Sequence, residues 1–334
     1  MLKFLVFADL HYKKGMYASP VSSVHAILDR AAAENVDFVI HCGDFCNDYA
    51  GSPEITDAYL ANRRNLPVYG IYGNHELETA GNTMSVVTPK LCSREVTFAW
   101  EGAGCWHTDI REYRIIGLDT NYSMTVAEAW EHNRPASWGP PAENYYGNSL
   151  GDAQLAWLEK LLNDAAENGK ICVVFSHAAL SSKWSASPDG PIVQSLFRRV
   201  NQKKPGTVAL AVNGHLHTDH FAVEDGVAYF DVNTVHNGFW SPRKEFHYAD
   251  SHTFAFTAYE NGVPSETADR PLNTLTQAKN TWFFTDPLSA VVTLGENSGN
   301  IDGAVTSWMH GIEPDTETDG VKREITSRAW IVRW

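Results

Sequence analysis

Six short apolar runs punctuate the first two thirds of the chain, at residues 3–8, 36–42, 67–73, 113–119, 170–176 and 207–213. Each is rich in β-branched or aromatic residues and nearly continuous in its hydrophobicity, the pattern of strands buried on both faces. Helical spacing lies between them. Val24, Ile27, Leu28 and Ala31 share one face of a helix predicted over residues 21–34. Leu155, Leu158, Leu161 and Leu162 line one stripe of a second, over residues 154–166, with Gly151-Asp152 as its entry. Strand–helix alternation of this kind predicts βαβ units and a largely parallel sheet.

After about residue 218 the pattern changes. Residues 221–232 read as a hairpin turning at Asp225-Gly226, and short β-rich pieces follow at 253–260, 289–295, 304–311 and 327–334. The chain therefore divides into an α/β domain over residues 1–250 and a β-rich extension over 251–334, packed on it or capping it. The polar, aromatic-rich stretch 121–148 is long for a plain connection. It suits a lid or substrate-facing loop as well as it suits a surface excursion packed by its own aromatics.

Composition narrows the function. No apolar run approaches the ~18 residues of a membrane span. The start of the chain runs straight into a strand without a small-residue cleavage site, so a cytoplasmic protein is expected unless a signal has been removed. The five cysteines form no Cys-x-x-Cys pair and read as reduced thiols. A formal net charge of −14 speaks against a grip on long nucleic acid, which needs clustered Lys and Arg. It leaves room for a small phosphorylated substrate, because bound metal ions reverse the local charge.

The chemistry sits where the strands end. Asp9 and His11 follow the first run, Gly43-Asp44 the second, and Gly73-Asn74-His75-Glu76 the third. His177 follows the fifth, and Gly214-His215-Leu216-His217 the sixth. Ligands of open parallel sheets bind beyond the carboxyl ends of the strands, so two carboxylates, an amide and several imidazoles are expected at one edge of one sheet. Any one of these residues alone is an ordinary turn or a satisfied core group. Their joint occurrence at successive strand ends is what points to a metal site. Mixed Asp, His and Asn donors suit manganese, iron, zinc or cobalt better than calcium or magnesium alone. In Asp-x-His and His-x-His, residues two apart on a strand face the same way.

On these motifs the sequence resembles the calcineurin-like metallophosphoesterase superfamily. The stretch beginning Gly147-Asn148-Ser149-Leu150 and continuing through Gln154, Trp157 and Leu158 is similar to members of the cyclic-nucleotide-phosphodiesterase type. The resemblance implies a four-layer α/β/β/α sandwich of two mixed sheets. It implies two divalent metal ions: one held by Asp9, His11 and His217, the other by Asn74, His177 and His215, with Asp44 bridging. It further implies attack on phosphorus by a metal-bridging hydroxide, with His75 beside the phosphate as the catalytic acid or charge stabiliser.

Departures from the family's other branches narrow the expectation. Residues 43–49 lack the Arg of the Ser/Thr protein phosphatases, and Asn47 stands where purple acid phosphatases place a metal-binding Tyr. The acidic balance disfavours the nucleases. Hydrolysis of a small phosphodiester is the expected activity, with a phosphomonoesterase as the alternative and a non-catalytic scaffold as a more distant one. Asn121 and His236 are candidate substrate contacts, Asn121 also being a candidate turn cap. His41 reads as a core histidine, and Trp184 and Trp240 as packing residues or stacking platforms.

Overall fold

The computed structural model describes residues 1–12, 14, 21–62, 64–78, 84–121, 149–181, 187–217, 220–235, 237–238, 253–260, 263–271, 282–283, 287–296, 298–305, 315–317, 320–322 and 326–334. The apolar runs become β1 (Leu2–Phe7), β2 (Phe38–His41), β3 (Val68–Gly70), β6 (Tyr113–Gly117), β7 (Ile171–Ser176) and β8 (Val208–Asn213). They do not form one sheet. The first three run parallel in a six-stranded sheet, where β1 also pairs antiparallel with β15 (Ala290–Leu294). Beyond β15 lie β16 (Ser298–Val305) and β19 (Thr326–Arg333), both antiparallel to their neighbours. The other three run parallel to one another, and with β10 (Val227–Asp231), in a seven-stranded sheet. Antiparallel strands flank them: β4 (Thr97–Phe98) and β5 (Trp106–Ile110) on one side, β9 (His220–Glu224) on the other.

Strand periodicity explains the layers. Along β1, Phe4 and Val6 point to one face and Leu5 and Phe7 to the other, all fully buried. Phe4 stacks on Phe38 of its own sheet at 5.0 Å and meets Phe175 of the second sheet edge-on at 5.5 Å. These residues belong to a core shared by both sheets, with Trp106, Ile115, Val212, Phe230 and Val292. Leu5 and Phe7 instead pack with α1 (Val21–Ala33) and α2 (Pro53–Leu60). On the far side, Ile116, Val174 and Ala211 pack with Leu158, Leu162, Val193 and Phe197 of two long helices, Gly151–Glu167 and Gly190–Lys203. The result is the four-layer α/β/β/α sandwich. Runs apolar on both faces belong to strands covered twice, once by helices and once by the other sheet.

Several local expectations hold. Val24, Ile27, Leu28 and Ala31 are the buried face of α1. Leu158, Leu161 and Leu162 are buried in the later helix, with Leu155 partly covered. The hairpin between β9 and β10 turns at Asp225 (φ 50°) and Gly226 (φ 79°), the two positive values a tight two-residue turn demands. No helix among the described residues is long and apolar enough to cross a membrane. Residues 122–148, Trp184 and Trp240 lie outside the described residues.

Candidate metal centre

The carboxyl ends of the parallel strands in both sheets meet at one rim, and five hydrogen bonds stitch it. The segment after β10 crosses to β1, where Val235 N donates to Ala8 O at 3.1 Å and the Thr234 hydroxyl to Asp9 O at 2.8 Å. The loops after β1 and β2 run side by side, with Asp9 N on Gly43 O (3.1 Å) and His11 N on Asp44 O (2.8 Å). Gly214 N donates to His177 O at 3.0 Å. Donors from five strand ends of two sheets therefore converge on one place.

The backbone there is not extended. Asp9, His11, Asp44, His215 and His217 all have φ between 50° and 69°. Such values cost L-residues roughly 1–2 kcal/mol each outside glycine, and they gather where surrounding structure enforces them. The side chains of Asp9 and His11 come together through this left-handed backbone, and not through the strand alternation that their spacing suggests. Gly43 (φ 88°) allows a close approach, since a Cβ on it would stand 2.6 Å from His177 Nδ1. A Cβ on Gly73 would collide with Asp44 Oδ1.

Both carboxylates are tethered on one oxygen and aimed with the other. Asp9 Oδ2 accepts from His215 N at 3.0 Å, while its buried Oδ1 lies 3.2 Å from His217 Nε2 and 3.8 Å from His11 Nε2. Asp44 Oδ1 accepts from His75 N at 2.8 Å. Its Oδ2 lies 3.3 Å from His177 Nε2, 3.8 Å from His11 Nε2 and 3.9 Å from His75 Nε2. Further imidazole nitrogens face one another: His11 Nε2 and His217 Nε2 at 3.0 Å, and His215 Nδ1 and His177 Nε2 at 3.1 Å.

His177 shows what this arrangement is for. Its Nδ1 donates to Cys42 O at 2.7 Å, which leaves the Nε2 lone pair of the neutral ring facing Asn74 Oδ1 at 3.1 Å, Asp44 Oδ2 and His215 Nδ1. Electron-rich atoms so close repel unless a cation sits among them. With only a proton available, burial opposes the imidazolium, yet the Asp44 carboxylate overcomes it and pushes His177 up to about 10. Burial holds His11 down to about 3 and His215 to about 4, the neutral forms that ligate metal. For both carboxylates burial favours the neutral acid, but His217 beside Asp9 and His177 beside Asp44 hold them ionised. Candidate ligand atoms of Asp9, His11 and His217 lie within 4.8 Å of one another, as do those of Asp44, His177 and His215. The donor set thus fits divalent cations.

The seven expected ligands and His75 are together at the rim. Asn121 ends nearby, but its amide turns to the backbone, donating to Tyr72 O at 3.5 Å. His236 lies outside the described residues. His41 is a core residue, stacked on Phe45 at 4.7 Å, and its Nδ1 also accepts from Gly43 N at 3.3 Å.

Glu76 is a residue whose part the sequence did not disclose. Fully buried, it accepts from the amides of Gly73, Asp44, Phe45 and Cys46 and from the Tyr49 hydroxyl. It clamps the Asp44 loop to the Asn74 loop, although burial and the Asp44 charge push its carboxyl up to about 7. Its position in Gly-Asn-His-Glu hints at a role, but only the fold shows four amides aimed at it. Glu76→Ala strands those buried donors and is expected to cost at least ~3 kcal/mol of stability. An unchanged urea midpoint would contradict that.

Carboxylates and imidazoles gathered at the rim of an α/β/β/α sandwich make a candidate centre for divalent metal ions. The chain belongs to the calcineurin-like phosphoesterase family, whose family model matches residues 2–219. It is similar to the manganese-dependent ADP-ribose/CDP-alcohol diphosphatase of Arabidopsis thaliana, at 22% identity over 220 residues, 57% of this chain and 68% of the relative. Among solved structures it resembles a dimetal phosphatase from Danio rerio (TM-score 0.60, 14% identity, 90% of this chain and 95% of the other). It also resembles GAP50, the anchor in the inner membrane complex of Plasmodium (TM-score 0.50, 11% identity, 96% of this chain and 88% of the other). At these identities the two structural likenesses concern the fold alone.

Proposed function

We propose that this chain hydrolyses a small phosphate ester whose phosphorus carries a second substituent, a phosphodiester or a diphosphate-linked compound, with two divalent cations. The observation that carries the metal reading is the His177 Nε2 lone pair, turned by Cys42 O toward Asn74, Asp44 and His215. Asp9, His11 and His217 would hold one cation and Asn74, His177 and His215 the other, with Asp44 shared. When bound, such cations neutralise phosphoryl oxygens and acidify the attacking water.

The protein's own groups supply the rest. Asp9 Oδ1 and Asp44 Oδ2 are held toward the imidazoles because backbone amides occupy their other oxygens. His75, with 17% of its side chain exposed, would donate from its ring to the departing ester oxygen. Among the described residues the salt-bridge partners of Asp9 and Asp44 are histidines, with no lysine or arginine. The diphosphatase activity in the Arabidopsis relative's name agrees with a disubstituted phosphorus.

The test compares bis-p-nitrophenyl phosphate and ADP-ribose with p-nitrophenyl phosphate, using manganese-reconstituted protein and a chelated control. Faster turnover of the disubstituted substrates, abolished by chelation, is expected. A preference for the monoester would make the protein a phosphatase. Metal-loaded protein inert toward all three would leave a scaffold that has kept its ligands.

A further inference from the structure

The segment that closes β6, Asp119-Thr120-Asn121, contributes no proposed ligand, yet it holds two loops that do. Its anchor is the helix Gly151–Glu167. Gln154 grips Asp119 by its backbone on both sides, accepting from the amide at 2.9 Å and donating to the carbonyl at 2.8 Å. The first turn of that helix is fixed in turn by Asp189, whose Oδ2 accepts from the Ser149 hydroxyl (2.8 Å) and from Leu150 N (2.7 Å). Asp119 Oδ1 accepts from Asn121 N at 3.0 Å, which folds the segment into an Asx turn.

From this anchored turn two ties go out. The buried Thr120 hydroxyl accepts at 3.2 Å from Ala178 N, the amide directly after His177. Asn121 Nδ2 donates to Tyr72 O, two residues before Asn74. Among the described residues, none of the three side chains bonds to the loops carrying Asp9, His11 and His217. The two cation sites are thus supported differently. The loop after β8 carries a ligand of each cation and is tied to both sides, to Asp9 Oδ2 through His215 N and to His177 O through Gly214 N, whereas the loops of Asn74 and His177 lean in addition on the end of β6.

We propose that Asp119-Thr120-Asn121 is a positioning element for one cation only, the one assigned to Asn74, His177 and His215. The proposal rests on the division of ligands given above. Groups that orient metal ligands from outside typically change affinity ~10–100-fold when removed. Here the loss falls on one of two neighbouring cations.

The experiment titrates metal-free, full-length protein with Mn²⁺ by equilibrium dialysis and records the electron paramagnetic resonance spectrum at each step. Wild-type protein is expected to bind two Mn²⁺ and to show the spectrum of an exchange-coupled pair. Thr120→Val keeps the shape but removes the acceptor, so one equivalent should weaken ~10–100-fold while the other stays within about threefold. The coupled signal then gives way to that of isolated Mn²⁺ at intermediate metal. Thr120→Ser, which keeps the hydroxyl, should restore both. Asn121→Ala cuts the second tie at a half-buried position and should weaken the same equivalent, which keeps the test open if the valine variant does not fold. Two unchanged equivalents in a folded variant, or both weakened alike, overturn the positioning role while leaving the two-metal reading intact. Wild-type protein that binds fewer than two Mn²⁺ overturns the two-metal reading and this inference with it.

Discussion

Asp44→Asn is expected to empty both cation sites together and to lower hydrolysis at least ~10³-fold, equivalent to about 4 kcal/mol of barrier. The reason is position. Asp44 Oδ2 is the anionic atom that lies within 4 Å of His11, His75 and His177 at once. Two cations ~3.5–4 Å apart repel strongly and need a shared anion between them. Asparagine keeps the acceptor for His75 N, so the loop is expected to stay in place. It removes the charge, and it can turn an N–H pair toward nitrogens whose lone pairs should bind metal. Elemental analysis of the purified variant checks this directly. Two retained metal ions per chain would exclude Asp44 as the shared ligand.

The second large effect separates catalysis from metal binding. His75→Ala is expected to keep both metals and lower turnover ~10²–10⁴-fold, about 3–5 kcal/mol of barrier. Metal is retained because Asp44 Oδ1 is held by the backbone amide of residue 75, which alanine supplies equally well. The size of the loss should depend on the leaving group. An alkoxide needs its proton, whereas p-nitrophenolate departs without one, so a proton-donating His75 predicts a smaller defect with the nitrophenyl ester. An equal defect on both substrates would assign His75 to charge stabilisation instead. Wild-type turnover on both would remove it from the chemistry.

Much of this site could be read before any fold was known. Metal-ligand residue types end successive apolar runs, and the glycines at 43, 73 and 214 stand where the chain must pass close to its neighbours. The hairpin at Asp225-Gly226 and the buried faces of α1 and the helix Gly151–Glu167 were likewise legible. These features are local. Hydrophobic period, turn chemistry and side-chain type are all set within a dozen residues, and composition records them directly.

Tertiary structure decided the rest. The apolar runs look alike, so nothing in them shows that three belong to one sheet and three to another. That division depends on β15 taking the place beside β1, a pairing between chain ends that periodicity cannot encode. The left-handed backbone at five of the seven expected ligands is enforced by neighbouring loops, against the local preference of Asp and His. The five-donor clamp at Glu76 and the grip of Gln154 on Asp119 are also long-range, each joining segments far apart in the chain. The sequence by itself determined which atoms are available to hold a cation and approximately where along each strand they stand. Only closure of two sheets around a common core brought those atoms within a few ångströms, because distances between remote segments follow from packing and not from local pattern.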